Sequence, residues 1–146
     1  MGSVIKIGIS KKKGGEIIDL SYANVFAGKG IENDRFYNIN NNKSNHISII
    51  ESEQIDSFNS AKNLSIPYIN FRRNIVTKNI KLNNLVGKIF LIGKIKIKAI
   101  QLCEPCVYLS SLLKEKEIVK FFVHKAGIRC EILNNGTISI EDEIKN

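Results

Sequence analysis

The sequence predicts a single, mainly β domain, closed or half closed into a barrel. Two observations lead there. Short apolar or alternating runs recur along all 146 residues, bounded by Gly, Asn and Ser clusters, whereas only three segments have helical spacing. So many short strands would also expose many unpaired edges, and closure removes them. No linker or internal repeat divides residues 1–146, and that length is enough for one buried core.

Taken in order, residues 4–9 alternate Val4, Lys6 and Gly8 against Ile5, Ile7 and Ile9, a first strand. Lys13-Gly14-Gly15 is a turn, residues 16–20 form a second short strand, and 22–27 continue extended. The polar run 38–45 reads as a mobile surface loop. Residues 46–50 are a strand. Residues 51–62 then place Ile55, Phe58 and Ala61 at helical spacing, with Ser52 as N-cap. Residues 74–77 and 89–92 are strands, the latter closed by Gly93, and 94–100 alternate Lys with apolar residues, which leaves one face wet. Residues 107–113 and 117–125 have helical character, the latter with Ile118, Phe121 and Phe122 inward. Finally, Asn134-Asn135-Gly136 between 130–133 and 137–140 predicts a hairpin, because an Asn-Gly turn accepts positive φ at both central positions.

Composition narrows the function classes. Net charge is +8, from 22 Lys and Arg against 14 Asp and Glu. That balance favours an anionic partner, although much of it is lysine in a chain crowded with Ile, Asn and Lys. No basic run is interleaved with aromatics as in a single-strand binder, so nucleic acid is not the expected partner. No apolar run approaches a membrane span, and lysines interrupt the N-terminal apolar stretch where a signal peptide would need continuity. Three cysteines then read as reduced thiols in a cytoplasmic protein.

Two sets of residues carry chemistry. The first is Cys103-Glu104-Pro105-Cys106, after a strand and before a predicted helix. A thiol at a helix start meets unpaired N–H groups and the positive dipole end, which favour the thiolate. Cys106 is therefore the candidate nucleophile or soft-metal ligand. A buried, inert cysteine is the bland alternative. Structural zinc would need Cys130 and His46 or His124 as well, at spacings unlike zinc fingers. A thioredoxin-like pair would need regular βαβ alternation, which is missing.

The second set is arginine. Only Arg35, Arg72, Arg73 and Arg129 occur, all inside three motif-like segments: Gly28 to Tyr37, Phe71 to Thr77, and Ala126 to Cys130. A lysine-rich chain that uses Arg at these places needs the guanidinium fork, which grips phosphate or carboxylate in bidentate fashion. Each Arg has a structural alternative, such as Arg35 pairing with Asp34 or Glu32. Strand alternation should send Arg72 and Arg73 to opposite faces.

Gly30-Ile31-Glu32-Asn33-Asp34-Arg35, Arg72-Arg73-Asn74-Ile75-Val76-Thr77, Leu85-Val86-Gly87-Lys88, Cys103-Glu104-Pro105-Cys106 and Gly127-Ile128-Arg129-Cys130-Glu131-Ile132-Leu133 follow one another in an order that resembles the MOSC domain, named for the C-terminal domain of molybdenum cofactor sulfurase. The likeness runs from about Val4 to Ile144. It implies a β-barrel of the pyruvate-kinase type with a few short peripheral helices. It also implies that Cys106 is the family's reactive cysteine and Cys103 its variable neighbour. Three positions depart from the pattern: Asn33 for Gly, Phe36 for His or Tyr, and Glu141 for the Gly before Asp142. Asn tolerates positive φ, so Asn33 should keep its turn.

The resemblance also implies a ligand, the molybdenum cofactor (molybdopterin), an anionic pterin. Arg35, Arg72, Arg73, Asn74 and Arg129 are then its expected contacts, and Cys106 the molybdenum ligand or the carrier of sulfane sulfur. A cysteine desulfurase or a molybdoenzyme would be the protein partner. Reduction of N-hydroxylated small molecules is the alternative, and a non-catalytic basic binding module the second. The small domain leaves little room for its own electron source.

Overall fold

In this computed structural model, the described residues are 2–38, 42–104 and 117–146. Seven strands close into a barrel: β1 (Gly2–Ile9), β11 (Glu143–Lys145), β7 (Ile89–Ile92), β8 (Ile95–Leu102), β9 (Ile128–Ile132), β5 (Ile47–Glu51) and β6 (Ile75–Lys78), which returns to β1. Closure falls on β1, which pairs with β11 at Gly2 and Ser3 and with β6 from Ser3 to Ile7. Short β2 (Ile18–Leu20) adds to the far half of β1. The predicted mainly β barrel with peripheral helices is the fold the chain adopts.

Period-two patterning explains the barrel wall. In β8, Ile95, Ile97 and Ala99 face inward while Lys96 and Lys98 stay in water. Val4, Ile7, Ile49, Ile75, Ile92, Ile128 and Cys130 join them in one core. The register of β1 against β6 slips by one residue between Val4 and Lys6. This bulge lets Ile5 reach a second core outside the barrel.

The second core lies under the helices. β5 and β6 run parallel, so a crossover must join them. That crossover contains α1 (Ser52–Lys62), which buries Ile55 and Phe58 on the outward residues Ile50 and Val76. Phe58 meets Phe122, from the turn after α2 (Ile118–Phe121), with ring centroids 5.3 Å apart. The helix differs from expectation at both ends. Glu51 occupies the N-cap position without a side-chain bond to the helix, and Ser52 is the first helical residue. The Glu51 carboxylate accepts instead from the Leu82 N–H at 3.1 Å. Ala61 is exposed, so the buried stripe ends at Phe58.

The hairpin expected at Asn134-Asn135-Gly136 does not form. β9 pairs with β5 and β8, while β10 (Gly136–Ser139) pairs with β3 (Tyr22–Phe26) in a separate sheet with β4 (Gly30–Ile31). Neither Asn134 nor Asn135 has positive φ, which a two-residue hairpin turn would need. Their side chains serve as staples: Asn134 Oδ1 accepts from Lys96 N–H and Asn135 Oδ1 from Ala27 N–H, each at 2.8 Å. No helix among the described residues is long and apolar enough to cross a membrane.

Candidate functional site: a cavity walled by four arginines

The site forms where β1 ends and β5 and β6 begin. Asn74 is the joint. Its Oδ1 accepts from the N–H (3.0 Å) and hydroxyl (3.2 Å) of Ser48, and its Nδ2 donates to the Gly8 carbonyl at 3.1 Å. The backbone adds Gly8 N–H to the Asn74 carbonyl at 2.8 Å. Asn74 is buried and its side chain is engaged on both atoms, so it fixes three strand ends around a cavity. Sequence alternation does not point to Ser48, its partner, because their contact spans 26 residues.

Arg35, Arg72, Arg73 and Arg129 all line that cavity, and no Asp or Glu among the described residues does. Its volume is about 60 Å³. One water needs roughly 15 Å³ on the same measure, so a tetrahedral oxyanion has room. Each arginine also has a bracing contact. Arg72 Nη1 donates to the Gly15 carbonyl at 2.9 Å, Arg73 Nε to the Ala126 carbonyl at 3.1 Å, and Arg129 Nη1 to Asn45 Oδ1 at 3.4 Å. Arg35 lies 3.6 Å from the buried Asp34 carboxylate, with its guanidinium over the Phe36 ring. The structural and functional readings of these arginines therefore coincide. A guanidinium carries five N–H donors, so a brace can orient it without using them all.

Arg72 and Arg73 do not diverge as a strand would require. Both precede β6, and Arg72 sits at φ 63°, which turns it toward the same cavity as its neighbour. Arg72 Nη2 is the one buried side-chain nitrogen or oxygen among the described residues found without a hydrogen-bond partner. An orphaned buried guanidinium nitrogen is costly unless an acceptor arrives.

Local backbone demands explain the neighbouring motifs. Asn33 has φ 71°, so it does keep the turn that leads into Asp34. Asp34 Oδ1 accepts from Ser10 N–H at 3.1 Å, which ties the end of β1 to the Arg35 segment. Glu141, where the family pattern has Gly, has φ 75° and holds the β10–β11 turn through its N–H to the Val4 carbonyl at 2.8 Å. That turn is remote from the arginines in its contacts.

The Cys-Glu-Pro-Cys segment is seen as far as Glu104; Cys106 and the helix expected over 107–113 lie outside the described residues. Its entry is firmly held. Cys103 N–H donates to the Gly127 carbonyl at 2.8 Å. Glu104 accepts from the His124 backbone N–H at 2.7 Å and lies 2.6 Å from His124 Nδ1. Gly127 also lets the chain pass close to β5: a Cβ there would stand 2.0 Å from the Ile49 carbonyl oxygen. Cys130 is fully buried, and desolvation, with Cys103 nearby, pushes its thiol well above the ordinary range. His46 is buried with Nδ1 accepting from Ile132 N–H at 3.1 Å, and its pKa is lowered by desolvation, so it is neutral at pH 7. Among the described residues, no three His, Cys, Asp or Glu side chains gather as a metal site.

Residues 36–145 match the family model for the MOSC domain. Solved structures with the same fold include the YuaD protein from Bacillus subtilis: TM-score 0.82, 16% identity, covering 99% of this chain and 94% of that one. YiiM from Geobacillus stearothermophilus gives TM-score 0.78 at 14% identity, over 99% and 74%. YiiM from Escherichia coli gives 0.71 at 17%, over 98% and 68%. At these identities the likeness shows the fold. Among curated protein sequences none matches this chain.

Proposed function

The chain belongs to the MOSC domain family, which is associated with the molybdenum cofactor, and from that premise we propose that it binds a phosphate-bearing molybdopterin in the four-arginine cavity. The observation that carries the reading is the orphaned Arg72 Nη2 in a wall of arginines with no acidic lining residue among those described. A phosphate supplies the missing acceptor and the negative charge together.

Roles follow from the contacts. Arg35, Arg72, Arg73 and Arg129 donate N–H groups to the phosphate, Arg72 through Nη2. Asn74 is a positioning residue, since its amide is already engaged by Ser48 and Gly8. When bound, the cofactor supplies its molybdenum for redox or sulfur chemistry. Cys106 is the chain's own reactive group, as metal ligand or sulfur carrier. In the carrier role its thiolate attacks the outer sulfur of a donor persulfide, a new S–S bond forms, and the donor leaves as a thiolate. The bonds from Cys103 and Glu104 to the 124–127 turn fix where that segment departs. A cysteine desulfurase or a molybdoenzyme in the cytoplasm is the partner this chemistry would serve.

The test is to mix apo-protein with released cofactor without air and measure retained molybdenum. A parallel sample receives a persulfide donor and is weighed for a one-sulfur increment. Retention that is lost in Cys106→Ser supports metal ligation, and an increment lost in the same variant supports sulfur carriage. Folded protein that retains neither overturns the proposal.

A further inference from the structure

The turn between β1 and β2 is hydrogen-bonded to two of the arginines that line the cavity. Ser10 follows β1, and Lys11, Lys12 and Lys13 come next, all exposed. The turn is pinned to two cavity walls: Arg35 N–H donates to the Ser10 carbonyl at 2.8 Å, and Arg72 Nη1 to the Gly15 carbonyl. The Lys12 carbonyl is also taken, by Ser10 Oγ at 2.8 Å and by Gly15 N–H at 3.0 Å. Three backbone oxygens that would repel an anion are thus occupied by donors. The Lys12 stem lies over Gly15, because a Cβ at Gly15 would stand 2.7 Å from Lys12 Cγ. Lys12 is therefore held beside the carbonyl that Arg72 grips. Glu16 is the acidic residue of the loop and follows the turn.

From this juxtaposition we propose that the Lys11–Gly15 turn is a second anion subsite continuous with the cavity, so the ligand class is one with two linked phosphate groups. One phosphate sits among the arginines, and the second meets Lys11 and Lys12 at the rim. Two-point binding raises affinity through effective concentration, without new contacts at either point. The inference rests on reading the cavity as a phosphate site.

Calorimetry with inorganic phosphate and with pyrophosphate tests it, using the full chain. Pyrophosphate should bind about tenfold or more tightly than phosphate, in the manner of a second tethered contact. In the Lys11→Ala, Lys12→Ala double variant that advantage should collapse to about twofold, while phosphate affinity holds within about twofold. A charge control is Lys78→Ala with Lys81→Ala, exposed lysines at and beyond the far end of β6 from Asn74. It loses the same charge and should keep the pyrophosphate advantage. Equal binding of the two anions by the wild type overturns the second subsite and leaves the cavity reading intact. Equal loss in both double variants also overturns it, because net charge then explains the preference. Binding of neither anion overturns both readings.

Discussion

Gly127→Ala is the substitution with the largest expected effect, and the structure sets its size. The new Cβ would lie 2.0 Å from the Ile49 carbonyl oxygen, 2.9 Å from the Ile49 carbonyl carbon and 3.1 Å from Ile50 Cα. All three are backbone atoms of β5, so no flexible side chain can yield. Gly127 also has φ 99°, outside what an alanine adopts without strain, at about 1–2 kcal/mol. Relief requires β9 to move off β5, where Ile49 is registered with Ile128. Each lost ladder bond costs about 1 kcal/mol. The total is at least about 3 kcal/mol, or roughly 10 °C in melting temperature for a domain of this size. Gly28→Ala is the control: φ is 75°, but nothing lies within 4 Å of the added methyl. It should lose only the strain, about 1 kcal/mol or roughly 3 °C. Thermal unfolding by circular dichroism compares the two. Gly127→Ala melting within about 2 °C of wild type would refute the close approach of β9 to β5.

Other expectations follow from the same contacts. Glu141→Gly should stabilise the chain by about 1 kcal/mol, since φ 75° suits Gly and not Glu; denaturant unfolding would show the gain as a higher midpoint. His46 has its folded pKa lowered from 6.5, so the folded state takes up protons less readily than the unfolded state. Its contribution to stability is present above 6.5 and is lost as pH falls through the folded value. The loss of unfolding free energy from pH 7 toward about pH 5 should be smaller in His46→Gln. Cys130, buried and with its thiol pushed up, should resist iodoacetamide in the native chain at about pH 8, while Cys106 reacts; labelling of Cys130 at the rate of Cys106 would reverse the assignment. Asn74→Ala should cost about 2–4 kcal/mol, because Ser48 N–H and the Gly8 carbonyl both lose a buried partner, and phosphate affinity should fall with it.

The barrel was legible where one face is wet and the other dry. In β8 the Lys and apolar residues alternate because its outer face meets water, and which residues face inward follows from that pattern alone. The Asn134-Asn135-Gly136 segment misled because short polar side chains have two uses. Asn can take positive φ in a turn, or it can cap distant backbone groups, and here Lys96 and Ala27 claim the side chains. Scarcity made the four arginines legible as a set. Their convergence was legible only in part, since the left-handed backbone at Arg72 depends on the 3-10 turn before it (Tyr68–Phe71). Ser48, Ser10 and Gly15 carry no local signal. Their roles arise from contacts spanning 26, 24 and 57 residues, which only the closed barrel brings together.

The central claim is that the cavity receives a phosphate. A crystal structure of the chain with molybdopterin cofactor bound under anaerobic conditions tests it most directly. The account predicts the phosphorus among Arg35, Arg72, Arg73 and Arg129, with Arg72 Nη2 donating to one of its oxygens at about 2.8 Å. A cofactor bound with its phosphate outside that cavity, and Arg72 Nη2 still without an acceptor, would contradict it.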